Sequence, residues 1–254
     1  MSKKNGFTVK KMAVAGVLGG ISAVLGLTPL GFIPIGPTRA TIMHIPVIIG
    51  AIMEGPLVGA LVGLIFGFFS MFQAVMNPTP VSFVFLNPLV SVVPRILIGI
   101  VSYYVYILFK KLGDKASKAT LFAVWGGTVV YLVLVLFNSI KTYGNAETSI
   151  WSVILNIVLI ISTLILGYYS YKKVKQNAVE LVISAAAGTL TNTAGVLSTI
   201  YFIYAEEFAV KMGIDPNAAG KFILGIGISN GIPEVIVAMI IVTSVVASLK
   251  KRAW

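Results

Sequence analysis

Long apolar runs separated by short polar or basic clusters dominate the chain. Eight of them read as membrane helices: roughly 10–27, 41–53, 55–76, 88–109, 119–137, 150–171, 178–204 and 221–248. A crossing needs about 20 apolar residues, so the run at 41–53 is short and is either broken or begins in the preceding loop. Two connections are rich in turn formers. Residues 28–40 hold Pro29, Gly31, Pro34, Gly36 and Pro37, and residues 77–82 hold Pro78 and Pro80. Such loops have restricted backbones and serve either as lids over a pocket or as plain connectors.

Composition sharpens this picture. Of 254 residues, 57% are hydrophobic and 11% charged, which excludes an ordinary soluble domain. The net charge of +11 sits in clusters between apolar runs, not in an interleaved polar surface suited to a phosphate backbone. With the N-terminus inside, the cytoplasmic segments hold Lys3, Lys4, Lys10, Lys11, the clusters Lys110–Lys118 and Lys172–Lys175, and Lys250–Arg252. Only Arg39, Lys141, Lys211 and Lys221 fall outside. The positive-inside rule therefore predicts an even number of spans and two cytoplasmic termini in a multi-pass bacterial cell-membrane protein. The N-terminal lysines also fit a signal peptide. Because the first run ends in a Pro/Gly loop instead of an A-x-A-like site, a first membrane helix is the preferred reading.

Several chemistries are missing. Cysteine is absent and histidine occurs once, so disulfides, thiolate sites and His-rich metal clusters are excluded, and neither metal nor cofactor is expected. Gly220-Lys221 is followed by Phe222 and lacks the earlier glycine of a phosphate loop, and H-E-x-x-H does not occur. The chain is expected to have no catalytic residues, to hydrolyse no ATP and not to be an enzyme.

Two formal charges, Arg95 and Glu234, lie deep within apolar runs. A charge in hydrocarbon costs about 3 kcal/mol or more and normally faces a cavity, a partner or a ligand. Arg95 follows Pro94 roughly 10 Å into the fourth span; its fork suits a carboxylate, and an internal pair with Glu234 is the competing reading. Pro94 frees a carbonyl one turn earlier, for a ligand or merely for a kink. In the last span Asn230 and Glu234 share a helix face. Asn192 lies near the middle of the seventh span beside Thr189, Thr191 and Thr193, whose hydroxyls can satisfy themselves on their own helix. His44 is a ligand candidate or an interfacial residue, and Asn87 a candidate contact or a helix cap.

Small residues form a second pattern. Gly55, Gly59, Gly63 and Gly67 recur every four positions in the third span, and Ala15, Gly19 and Ala23 do so in the first. This spacing lets helices approach closely, within the chain or at a partner.

Together these segments carry a resemblance. GFIPIGPTRATIMHIPVIIGAI (31–52), EGPLVGALVG (54–63), NPLVSVVPR (87–95), GTLTNT (188–193) and SNGIPE (229–234) resemble the substrate-binding S components of energy-coupling factor (ECF) vitamin transporters, most nearly the pantothenate type. The resemblance covers residues 7–110 and 178–250. It implies an all-α integral membrane bundle with six core helices, vitamin capture outside the cell, and docking on the scaffold EcfT with two ABC-type ATPases. Arg95, Asn87, Asn192, Asn230, Glu234 and His44 are then the candidate vitamin contacts, by their polarity within apolar runs. The resemblance implies that Ala15, Gly19 and Ala23 contact EcfT, and Gly59 and Gly63 extend that face if the first and third helices are neighbours. The family has six helices, so 119–171 is expected to be an inserted transmembrane hairpin within one membrane domain spanning 1–254. Other readings remain: an S component for pyridoxine, folate or thiamine; a self-contained secondary carrier, though no convincing internal repeat is visible; or an intramembrane enzyme using His44 and Glu234.

Overall fold

The computed structural model describes residues 8–35, 38–142 and 179–252, with scattered positions between 153 and 168. Eight helices are defined in these residues: α1 Val9–Leu27, α2 Ile45–Glu54, α3 Pro56–Met76, α4 Ser82–Phe85, α5 Pro88–Ser91, α6 Val93–Thr142, α7 Val179–Lys211 and α8 Ala219–Arg252. The 28–41 connection contributes a two-stranded antiparallel hairpin, β1 Phe32–Ile35 and β2 Thr38–Thr41, with Phe32 opposite Thr41. Among the described residues, five segments are long and apolar enough to cross a membrane: Val9–Leu27, Pro56–Met76, Pro88–Gly113, Val179–Lys211 and Pro216–Leu249. The protein is a multi-pass, all-α membrane protein carrying this one small hairpin.

The short second run now has an explanation. Helix α2 has only 10 residues, and Ile45 to Ile52 are all buried. It is a core helix seated against α1 and α3, so its length need not match the bilayer. It stops at Glu54 because Gly55 adopts φ 103°, and Pro56 opens α3 in its first turn, where a missing N–H costs nothing. Lys10 of α1 bridges to Glu54 at 2.8 Å. At the opposite end, Gln73 Nε2 of α3 donates to the Gly26 carbonyl of α1 at 2.7 Å. The first three helices are thereby tied at both ends.

The expected glycine stripe packs α3 against α6 and the junction between α5 and α6. A Cβ on Gly59 would lie 2.9 Å from Gly99 Cα, and one on Gly67 would lie 2.7 Å from Val92 Cα. One on Gly63 would strike the Arg95 carbonyl. Gly55 belongs to the turn and takes no part. In α1 the buried face is Ala15, Gly19, Ser22 and Gly26, and a Cβ on Gly19 would lie 2.5 Å from Ile65 Cδ1.

The chain forms two compact units, Met1–Leu108 with Leu181–Trp254, and Phe109–Glu180. Within the second, α6 is interrupted at Gly113 (φ 79°, ψ 177°). Trp125 Nε1 donates to the Thr163 carbonyl at 2.8 Å. Lys118–Leu134 is apolar but shorter than a full span. Much of the expected 150–171 helix lies outside the described residues.

Candidate functional site

The site starts from a proline. Pro94 has no N–H to offer the carbonyl four residues earlier, and that carbonyl, Val90, accepts instead from Arg95 Nη1 at 2.5 Å. The freed acceptor thus orients its neighbour's guanidinium, and no sharp kink is needed, because Pro94 lies in the first turn of α6. Arg95 is 6% exposed. Its guanidinium carbon stands 5.4 Å from the Phe66 ring centre and 5.8 Å from that of Phe85, favourable for a cation over aromatic faces. Arg95 Nε has no hydrogen-bond partner.

Glu234 approaches from α8 and is equally buried. Its Oε1 accepts from the Thr41 backbone N–H at 2.9 Å and from Thr41 Oγ1 at 2.7 Å, which ties the end of β2 to α8. No ion pair joins Arg95 to an acid among the described residues. The internal pair considered from sequence is therefore not formed.

Helix α7 completes the cluster. His44, fully buried just before α2, contacts Thr189 Oγ1 through Nε2 at 3.0 Å. Asn192 Oδ1 and, from α8, Asn230 Oδ1 are buried without hydrogen-bond partners. Two glycines make room for this convergence. Gly195 faces Pro94, with an ideal Cβ 3.0 Å from Pro94 Cβ, and Gly231 faces Thr193, with one 3.3 Å from Thr193 Cγ2. The first compact unit thus holds Arg95, His44, Asn192, Asn230 and Glu234, each with polar atoms buried inside it.

Asn87 has a different position. Its Oδ1 caps α5 by accepting from Leu89 N at 2.9 Å, and its Nδ2 donates to Tyr204 OH at 3.0 Å. Both ends of the amide are occupied in tying α5 to α7. Thr41, Phe66 and Phe85 were not singled out from sequence, since a loop threonine and core phenylalanines carry no local signal. An open groove of about 590 Å³ between α7 and α8 is lined by apolar residues such as Leu197, Tyr201 and Ile223, and touches the polar cluster through Thr193. Its chemistry suits hydrocarbon better than a charged solute. Among the described residues no group of three or more metal-ligating side chains occurs.

Residues 10–158 match the family model for the substrate-specific component of ECF transporters. That match takes in more than half of the sequence. The chain belongs to this family. Two curated relatives are similar over shorter stretches. The pantothenic acid transporter PanT of Lactococcus lactis subsp. cremoris is 35% identical over 130 residues, 46% of this chain and 63% of the relative. The pantothenate transporter PanT of Leuconostoc mesenteroides subsp. mesenteroides is 37% identical over 78 residues, 30% of this chain and 38% of the relative. The alignment spans less than two thirds of either relative.

The small residues of α1 divide between an inward and an outward face. Ala15 and Gly19 are buried against the chain's own helices, and Ala23 is half-buried. Gly59 and Gly63 are spent on α2 and α6. None of these four buried residues presents a free docking surface. Gly16 and Gly20, also four apart, are exposed, and a Cβ on either would meet nothing within 4 Å.

Proposed function

We propose that this chain is the vitamin-capturing S component of an ECF-type importer, and that its substrate is pantothenate. The observation that carries this reading is Arg95: a buried guanidinium held by a backbone carbonyl and two rings but, among the described residues, in no ion pair with an acid. In the same compact unit, Asn192 and Asn230 offer buried polar atoms without partners. Pantothenate supplies a carboxylate for the cation, with an amide and two hydroxyls for the neutral groups. The names of both relatives support the same vitamin. Titration of the purified chain with pantothenate tests the proposal. Saturable one-to-one binding is expected, with the alcohol analogue binding far more weakly; no binding of pantothenate would overturn it.

The first compact unit contains α1, α2, α3, the first part of α6, α7 and α8, which supports a six-helix S-component core with 119–171 as an inserted hairpin. The loop-charge asymmetry supports cytoplasmic termini, an orientation in which the β-hairpin end faces outside, where a vitamin arrives. Energy for uptake comes from EcfT and two ABC-type ATPases, because this chain has no phosphate loop. Their docking face includes Gly16 and Gly20, whose bare surface permits the close approach on which association in lipid depends. Gly16→Trp and Gly20→Trp are expected to keep pantothenate binding while losing co-purification with EcfT. Retained co-purification of both variants would move the docking face elsewhere.

A further inference from the structure

The single histidine carries more information than its burial alone. Thr189 Oγ1 lies 2.9 Å from the Ala185 carbonyl one turn earlier, and a hydroxyl has one hydrogen to give. That hydrogen goes to the carbonyl, so toward His44 Nε2, at 3.0 Å, Thr189 can only accept. The network therefore assigns the proton of a neutral imidazole to Nε2 and leaves a bare lone pair on Nδ1. Nδ1 is buried and has no partner. An unsatisfied buried acceptor is costly, and a fully buried ring gains no relief from bulk water.

We propose that His44 Nδ1 accepts a hydrogen bond from a hydroxyl of the ligand, so that His44 selects hydroxylated carboxylates while Arg95 binds the anionic end. This rests on reading the polar cluster as the ligand site. Thr189 is then a positioning residue, acting through the tautomer it imposes. The arrangement is specific in sign: Nδ1 welcomes a donor and rejects a bare carbonyl. A site built to pair with a hydroxyl discriminates strongly against an analogue that lacks it, because the buried partner is then left unpaired.

The chain's sole histidine makes the test direct, since ¹⁵N-histidine labelling of the full-length protein reports His44 alone. The ligand-free spectrum should show the Nε2-protonated tautomer, and saturating pantothenate should shift Nδ1 toward the hydrogen-bonded position. Thr189→Val should weaken the tautomer preference. His44→Asn keeps an acceptor near the Nδ1 position, whereas His44→Gln extends toward the Nε2 position. The second variant should lose about tenfold in pantothenate affinity and the first much less. An analogue of pantothenate without its hydroxyls should bind the wild type roughly tenfold more weakly and His44→Gln no worse than pantothenate does. Pantothenate binding with an unmoved Nδ1 signal, or an Nδ1-protonated ligand-free ring, would overturn this proposal and leave the substrate reading intact. Absence of pantothenate binding to the wild type would overturn both.

Discussion

Arg95→Ala is expected to weaken pantothenate binding by roughly 30-fold or more, the equivalent of about 2 kcal/mol. Truncating one partner of a desolvated, hydrogen-bonded charge pair typically costs about 2–5 kcal/mol, and part of that cost is the charge left unpaired on the other side. The alcohol analogue separates recognition from structure. It has no carboxylate to lose, so its affinity should differ little between wild type and variant if the carboxylate is the partner. Stability gives a second check. The guanidinium lacks an ion-pair partner among the described residues, and holding such a charge away from water is unfavourable. Removing it relieves that cost but forfeits the Val90 bond and the contacts with Phe66 and Phe85. These effects oppose one another, so the ligand-free melting temperature should move by only about a few degrees. Unchanged pantothenate affinity in a folded Arg95→Ala protein would make the arginine structural.

Gly99→Val should be far more damaging to the fold. A Cβ at Gly99 would stand 2.7 Å from Ala60 N and closer still to the Gly59 carbonyl carbon. Backbone atoms cannot step aside as a side-chain tip can. Relief therefore requires α3 and α6 to separate, along a seam that also includes Gly63 and Gly67. Overpacking of this kind costs about 3 kcal/mol or more, and it displaces the turn of α6 that carries Arg95. Low yield, early thermal unfolding in detergent and lost pantothenate binding are expected together. Gly16→Ala and Gly20→Ala serve as controls, because nothing lies within 4 Å of either added Cβ. Wild-type melting of Gly99→Val would show that the α3–α6 contact is looser than this geometry.

Much of the protein was legible along the chain because membrane insertion is a local property. Twenty or so apolar residues declare a helix wherever they occur, and Arg95 and Glu234 stood out as charges against that background. Asn192 and Asn230 followed from helical phase and depth. Asn87 had two local readings, and the structure chose the cap, reinforced by a bond to Tyr204 that lies 117 residues away. The fate of the small residues was not legible. Periodicity showed that α1 and α3 each had close-packing faces, but not toward what. Ala15 and Gly19 turned inward and Gly16 and Gly20 outward, a rotation that depends on where Ile65 and Phe69 stand on α3. The ten-residue α2 was likewise readable as a defective span until its neighbours showed it to be core. Thr41 gave no warning, since a threonine at the end of a Pro/Gly loop becomes a Glu234 ligand only when the hairpin packs on α8. Hydropathy and charge act residue by residue and survive in the linear sequence, whereas the rotation of each helix and the pairing of its polar atoms exist only between elements.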